Sequence, residues 1–279
     1  MFSKIVIIKS GGDLGSAVAH RLVQSGFSVI ITEQHSPSSI RRKVSFSEAI
    51  YQQEVVVEGV LAKKVLRENR KEMLQLCRKG IIPVLADENL EILSKIPADI
   101  VIDATLRKKN MDMHRGLAPI TIALGPGFLA PEEVDAVIET NRGHNLGRII
   151  YQGRAMENTG IPGVIEGFGR ERVIYSQKDG IFSSLKEIGD LVKAGEPIGA
   201  IYGAEGENPA EILVLAPLDG MIRGLIAKDS AVMKGMKIGD VDPRGEKAQF
   251  DLISDKGRTI SGGVLEAILH LLNKKNLIR

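Results

Sequence analysis

A chain of 279 residues, 43% hydrophobic and 26% charged, is long enough for two buried cores. With a net charge of +2, four tyrosines, seven phenylalanines and no tryptophan, it offers neither a basic stripe nor a base-stacking platform, so no nucleic acid and no membrane is expected as a partner. The single cysteine, Cys77, can form no intramolecular disulfide, and the apolar run at the N-terminus stops at Lys9; a cytoplasmic location is expected.

In chain order, short Val/Ile/Leu-rich runs predict strands over Ile5–Ile8, Ser28–Thr32, Glu54–Leu61, Ile81–Ala86, Asp99–Asp103 and Pro119–Leu124. Apolar residues at helical spacing predict helices over Leu14–Ser25 and Leu66–Lys79, with Gly26 and Gly80 as stops. This alternation predicts a Rossmann-like, doubly wound parallel sheet over residues 1–150.

Between the first strand and the first helix lies Ser10-Gly11-Gly12-Asp13-Leu14-Gly15-Ser16. Aligned to the dinucleotide fingerprint G-x-G-x-x-G, it supplies Ser10, Gly12 and Gly15, with the first glycine replaced. Gly12 lets a backbone approach a pyrophosphate, and free N–H groups at a helix start attract negative charge. Glu33 ends the second strand, 21 residues beyond Gly12, where a carboxylate accepts a ribose hydroxyl. Two readings stand: a socket for a phosphate-bearing small molecule, or a turn whose glycines serve packing alone.

Further polar residues follow later strands. Asp103, Arg107 and Lys108 follow one, Gly125 and Gly127 another, and Glu139, Arg142 and His144 lie beyond. Ligands of open α/β sheets settle outside the carboxyl ends of strands. Guanidinium and ammonium groups suit oxyanions, and His144 is a proton carrier near neutral pH. Equally, Glu139 and Arg142 suit an ordinary ion pair, and Asp103 a turn cap. The five histidines lack metal-ligand spacing, so no metal is expected, and no G-x-S-x-G elbow occurs. Cys77 is expected to be inert and buried.

From about residue 172 the pattern repeats. Asp179-Gly180 and Asp219-Gly220, Val192-x-x-Gly195 and Val232-x-x-Gly235, and Ile198-Gly199 and Ile238-Gly239 each stand 40 residues apart. A fixed offset marks two similar structural units. This segment resembles the biotinyl/lipoyl barrel-sandwich hybrid, so residues 151–279 are expected to form an all-β domain of that kind followed by a C-terminal helix. The link from Tyr202 to Ala210 has no lysine, which leaves no amine for a covalent carrier role.

The bend at residues 10–16, Val57-Glu58-Gly59-Val60, Ala123–Phe128, Val137–Arg148, Asn158–Gly163, Ile238–Arg244 and Ile253–Leu265 together resemble the YqeB-type accessory family of selenium-dependent molybdenum hydroxylase systems. Residues Lys4–Leu124 also resemble the nucleotide-binding-like domain of XdhC. The chain departs from the family pattern at Thr105, where an arginine is expected after Asp103-Ala104. The resemblance implies a maturation factor with a molybdenum hydroxylase as client. The ligand it implies is NAD, another nucleotide or a molybdopterin-type cofactor. A scaffold with a vestigial nucleotide site and an NAD-dependent oxidoreductase are the alternatives.

Overall fold

The computed structural model describes residues 4–157, 160, 162–203 and 211–277, and the chain divides into two compact units. The first comprises residues 1–37, 44–159 and 253–279; the second comprises 38–43 and 160–252. The boundary expected at residue 150 is therefore crossed twice: a short early segment belongs to the second unit, and the C-terminal helix belongs to the first.

The first unit is built on a nine-stranded sheet. Its elements in chain order are β1 (Ile5–Lys9), α1 (Asp13–Gln24), β2 (Ser28–Glu33), α2 (Ala49–Gln52), β3 (Glu54–Val57), β4 (Val60–Lys64), α3 (Arg70–Arg78), β5 (Ile82–Ala86), β6 (Ile100–Asp103), β7 (Ile120–Leu124), β8 (Ala136–Ile138) and β9 (Ile149–Ile150). The strand order is β3-β4-β5-β2-β1-β6-β7-β8-β9, parallel except for the β3–β4 and β8–β9 edge pairs. Alternation along β1 sends Val6 and Ile8 into one apolar cluster and Ile7 into another, so both faces of the sheet are covered.

Two expectations are corrected here. The run Glu54–Leu61 is not one strand but part of a hairpin, because Glu58 and Gly59 take φ of 43° and 82° and reverse the chain. Nor is the sheet doubly wound in the expected Rossmann-like manner. Only α1 and α3 connect consecutive parallel strands; β5 to β6, β6 to β7 and β7 to β8 are joined by loops and single 3-10 turns. The last helix, Asp255–Lys274, occupies part of the space that crossover helices would fill, packing on α1 and on β7–β9.

The second unit contains β10 (Val173–Tyr175), β11 (Gly180–Ser184), β12 (Leu191–Val192), β13 (Pro197–Tyr202), β14 (Ile212–Leu215), β15 (Gly220–Leu225), β16 (Ser230–Val232) and β17 (Lys237–Asp242); the last helix of the chain is α4. The strands form two separate four-stranded sheets, β10-β17-β15-β12 and β14-β13-β11-β16, around Phe182, Ile198, Ile222 and Val241. The expected biotinyl/lipoyl-like domain over residues 151–279 is corrected in extent, since residues 38–43 belong to this unit and the C-terminal helix belongs to the first. The lysine-free link falls largely at residues 204–210, outside the described residues.

The 40-residue offset has a physical basis in this unit. Asp179 accepts a hydrogen bond from the Lys234 amide (2.7 Å), and Asp219 accepts one from the Ala194 amide (2.8 Å). Each repeat's Asp thus holds the glycine turn of the other. A Cβ at Gly180 would fall on the Tyr202 carbonyl, and one at Gly220 on that of Asp242, so the following position must be glycine.

Candidate functional site at the carboxyl ends of the sheet

Strands β1 and β6 are neighbours, and the chain leaves them in opposite directions across the sheet, towards β2 and β7 respectively. Ligands of open parallel sheets settle at such a switch point. Around it the structure gathers residues 10–16, Asp103, Gly125, Gly127, Glu139 and Arg142, all following the carboxyl ends of β1, β6, β7 and β8.

The first loop is tightly constrained. Ser10 has φ of 79°, the left-handed conformation that the missing fingerprint glycine would adopt without strain. Its amide donates to the Thr32 carbonyl (2.8 Å). Gly12 caps α1 with no side-chain hydrogen bond, so the first helical amides face the crevice without a capping side chain. A Cβ at Gly15 would fall on the Ser10 carbonyl, which ties the helix to the loop. Ser16 serves the scaffold: its hydroxyl donates to the Gly11 carbonyl (2.7 Å) and accepts from the Phe46 amide (2.7 Å). Leu14 is core.

Glu33 is buried, and its carboxylate holds this loop. It accepts from the Gly11 amide (2.7 Å), the Ser10 hydroxyl (3.0 Å) and the Gln34 amide (2.8 Å). Burial pushes its pKa above the ordinary carboxylate value, against the pull of those donors. Glu139 plays the same part at β8, accepting from the amides of Thr140 (2.7 Å), Asn141 (2.7 Å) and Met156 (2.8 Å). Arg142 pairs instead with Asp255 at the start of α4 (2.8 and 3.3 Å).

Asp103 ends β6 opposite Lys9 of β1. One oxygen accepts from both the Thr105 amide (2.9 Å) and hydroxyl (2.6 Å); burial raises the pKa, while Thr105 and Lys9 lower it. Thr105, at the position where the resemblance led to the expectation of an arginine, therefore fixes the Asp103 carboxylate. The buried Lys9 ammonium pairs with Asp112. Arg107 and Lys108 stand on the loop between Asp103 and Asp112, their side chains without hydrogen bonds among the described residues. Gly127 lets that loop approach, since a Cβ would fall on the Arg107 carbonyl; Gly125, at φ of 84°, faces Thr140. His144 is exposed on the β8–β9 loop and has no hydrogen-bond partner among the described residues.

Helices α1 and α4 lie side by side in the same direction. Gly257 packs on Ala17, and Arg21 donates to the Ser261 hydroxyl (2.8 Å) and the Arg258 carbonyl (3.1 Å). Their positive N-terminal ends therefore stand together at the strand ends. Lys256 stands in the first turn of α4, and burial lowers its pKa; Asp13, Glu139 and Asp255 act against that shift and Arg142 with it. Lys9, Asp112, Asp255 and Lys256 carry no motif. A lysine closing a buried strand is the one local signal available; the others meet only through long-range packing.

No family model matches the chain. A curated protein of Escherichia coli (strain K12), named only as uncharacterized protein YqeB, is 46% identical over 271 residues, 97% of this chain and 48% of that protein. The chain is thus homologous to YqeB and spans about half of its length. Among solved structures, a succinylglutamate desuccinylase from Silicibacter sp. TM1040 matches with 11% identity and a TM-score of 0.28, covering 86% of this chain and 84% of that one. An aspartoacylase family protein from Mesorhizobium loti matches with 12% identity and a TM-score of 0.30, covering 86% and 85%. Likeness at these TM-scores carries no argument about this chain; the strand connections of the first unit are what set aside the expected Rossmann-like fold class. The expected role in molybdenum hydroxylase maturation, with its scaffold and NAD-dependent oxidoreductase alternatives, is withdrawn with that fold class. Among the described residues no helix is long and apolar enough to cross a membrane.

Proposed function

We propose that the first unit binds a small phosphate-bearing molecule in the crevice beyond the ends of β1 and β6. The observation that carries this reading is the N-terminus of α1, which no side chain caps, standing at the switch point of the parallel sheet. The adjacent N-terminus of α4 and the cations Lys256, Arg107 and Lys108 add favourable potential for an anion. Asp103, anchored by Thr105, supplies an acceptor for hydroxyl or N–H groups on the rest of the ligand. NAD, other nucleotides and molybdopterin-type cofactors all carry the phosphate that this crevice suits.

The test is calorimetric titration of inorganic phosphate, AMP and NAD into the wild-type chain and a Gly12→Asp variant. Saturable binding of at least one probe is expected, weakened about tenfold or more in the variant, a difference of about 1.4 kcal/mol. Raised salt should weaken it further. Absence of saturable binding by all three probes refutes the reading, as does equal affinity in a folded Gly12→Asp protein.

A further inference from the structure

A cleft of about 350 Å³ opens beside the edge strand β9, within the first unit. Its polar lining is Glu139, Asn145, Arg148, Tyr151, Gln152 and Arg154. Pockets of this size suit small molecules. The two arginines distinguish it. Arg148 donates to the Asn145 side-chain oxygen (3.2 Å) and has no carboxylate partner among the described residues. Arg154 has Glu133 at 3.8 Å, beyond hydrogen-bond length, while that carboxylate accepts from the Leu129 amide (2.6 Å). Both guanidinium groups thus keep donors available in a concave, polar surface.

Glu139 does not neutralise them directly. Its two oxygens are already engaged by three main-chain amides, so it forms the cleft wall and contributes one negative charge. With Glu133 3.8 Å from Arg154, the two cations are offset by two carboxylates, and the cleft carries no large excess of positive charge. That balance favours one carboxylate over a doubly charged phosphate, and planar guanidinium matches a carboxylate in a two-pronged contact. The side-chain amides of Asn145 and Gln152 and the Tyr151 hydroxyl complement hydroxyl or carbonyl groups beside the acid.

We infer that this cleft is a second binding site, taking a small monocarboxylic acid with a neighbouring hydroxyl or carbonyl. Its arginines are not among the residues proposed to hold the phosphate, and Glu139 is a wall that both share. Sodium lactate is the probe, inorganic phosphate the comparator, and the arginine Nε–H signals of the ¹⁵N-labelled full chain the readout. Lactate should shift the Arg148 and Arg154 signals saturably. Arg148→Gln and Arg154→Gln should each weaken lactate about tenfold, while the exposed Arg78→Gln leaves it unchanged. If Arg148→Gln fails to fold, the exposed Arg154→Gln decides alone. No saturable shift, equal lactate affinity in the folded variants, or tighter phosphate than lactate binding at these two signals overturns the assignment. Phosphate binding at the crevice is followed separately through the Gly12 and Asp13 amides, so failure of one site does not mask the other.

Discussion

Buried carboxylates do different work in the two units. At the strand ends of the first unit, Glu33 and Glu139 spend their oxygens chiefly on main-chain amides of adjacent loops. On β17 of the second unit, Asp240 and Asp242 face cations. Asp242 accepts from Arg244 Nε (2.9 Å) and Nη2 (2.6 Å), while Asp240 accepts from Lys237 (2.8 Å) and has Arg172 at 3.7 Å. A carboxylate that gathers amides dictates loop shape, as a ligand crevice requires. One that meets cations on a strand steadies a sheet face. The difference separates a unit organised around shaped loops from one organised around repeated strands.

The largest effect is expected where the amides are gathered. Glu139→Ala removes one acceptor from three amides and should cost about 3 kcal/mol, since buried donors left unpaired lose more than the bond is worth. Urea unfolding measures this. Asp242→Asn should cost less, about 2 kcal/mol, because Arg244 is partly exposed and can turn to water. If the order of these two is reversed, the contrast between the units fails. A double-mutant cycle between Asp242 and Arg244 should show side-chain coupling, whereas the hydrogen bonds of Glu139 among the described residues come from main-chain amides.

The two kinds of carboxylate also give opposite pH slopes. Burial would raise the Asp242 pKa, but the Arg244 side chain and amide hold it below the ordinary value. Its contribution is therefore present above the unfolded carboxylate pKa and is lost as pH falls through the lower folded value. Glu33 and Asp103 are raised by burial, so the folded state holds their protons more tightly. Between the unfolded pKa and the raised folded value, rising pH lowers stability. Unfolding free energies across the acid range should lose that falling limb in part in Glu33→Gln and keep it in Asp242→Asn. Cys77, pushed up to about 12 by burial, should meanwhile resist thiol reagents at neutral pH until the chain unfolds.

Several of these elements were legible from local pattern. Continuous apolar runs mark β1, β2, β5, β6 and β7, and the Asp-Gly offset of 40 residues is the spacing from β11 to β15. The hairpin at Glu58–Gly59 was hidden because its two strands read as one apolar run. The short strands β8 and β9 offer too few residues for periodicity to register. The alignment of α4 on α1 joins residues about 240 apart in sequence, which no local rule reports. At the candidate site the loops were visible through their glycines. What Glu33 and Glu139 bind was not, because a carboxylate beside a turn suits a ligand hydroxyl and a backbone amide equally well.

The smallest expected effect is at Ser10, and it tests how the first loop tolerates a missing glycine. Ser10→Gly relieves a positive φ, worth about 1 kcal/mol for a residue with a side chain. Against this it loses the hydroxyl bond to Glu33, about 1 kcal/mol, and adds about 0.5 kcal/mol of freedom to the unfolded chain. The terms nearly cancel, so urea unfolding should place the variant within about 1 kcal/mol of wild type, on the less stable side. A gain in stability would mean that the hydroxyl contributes little and that the loop is held by the Gly11 amide alone. A loss well beyond that range would mean that Glu33 depends on Ser10 to stay in place, and the loop-shaping role assigned to the carboxylate would belong to the pair.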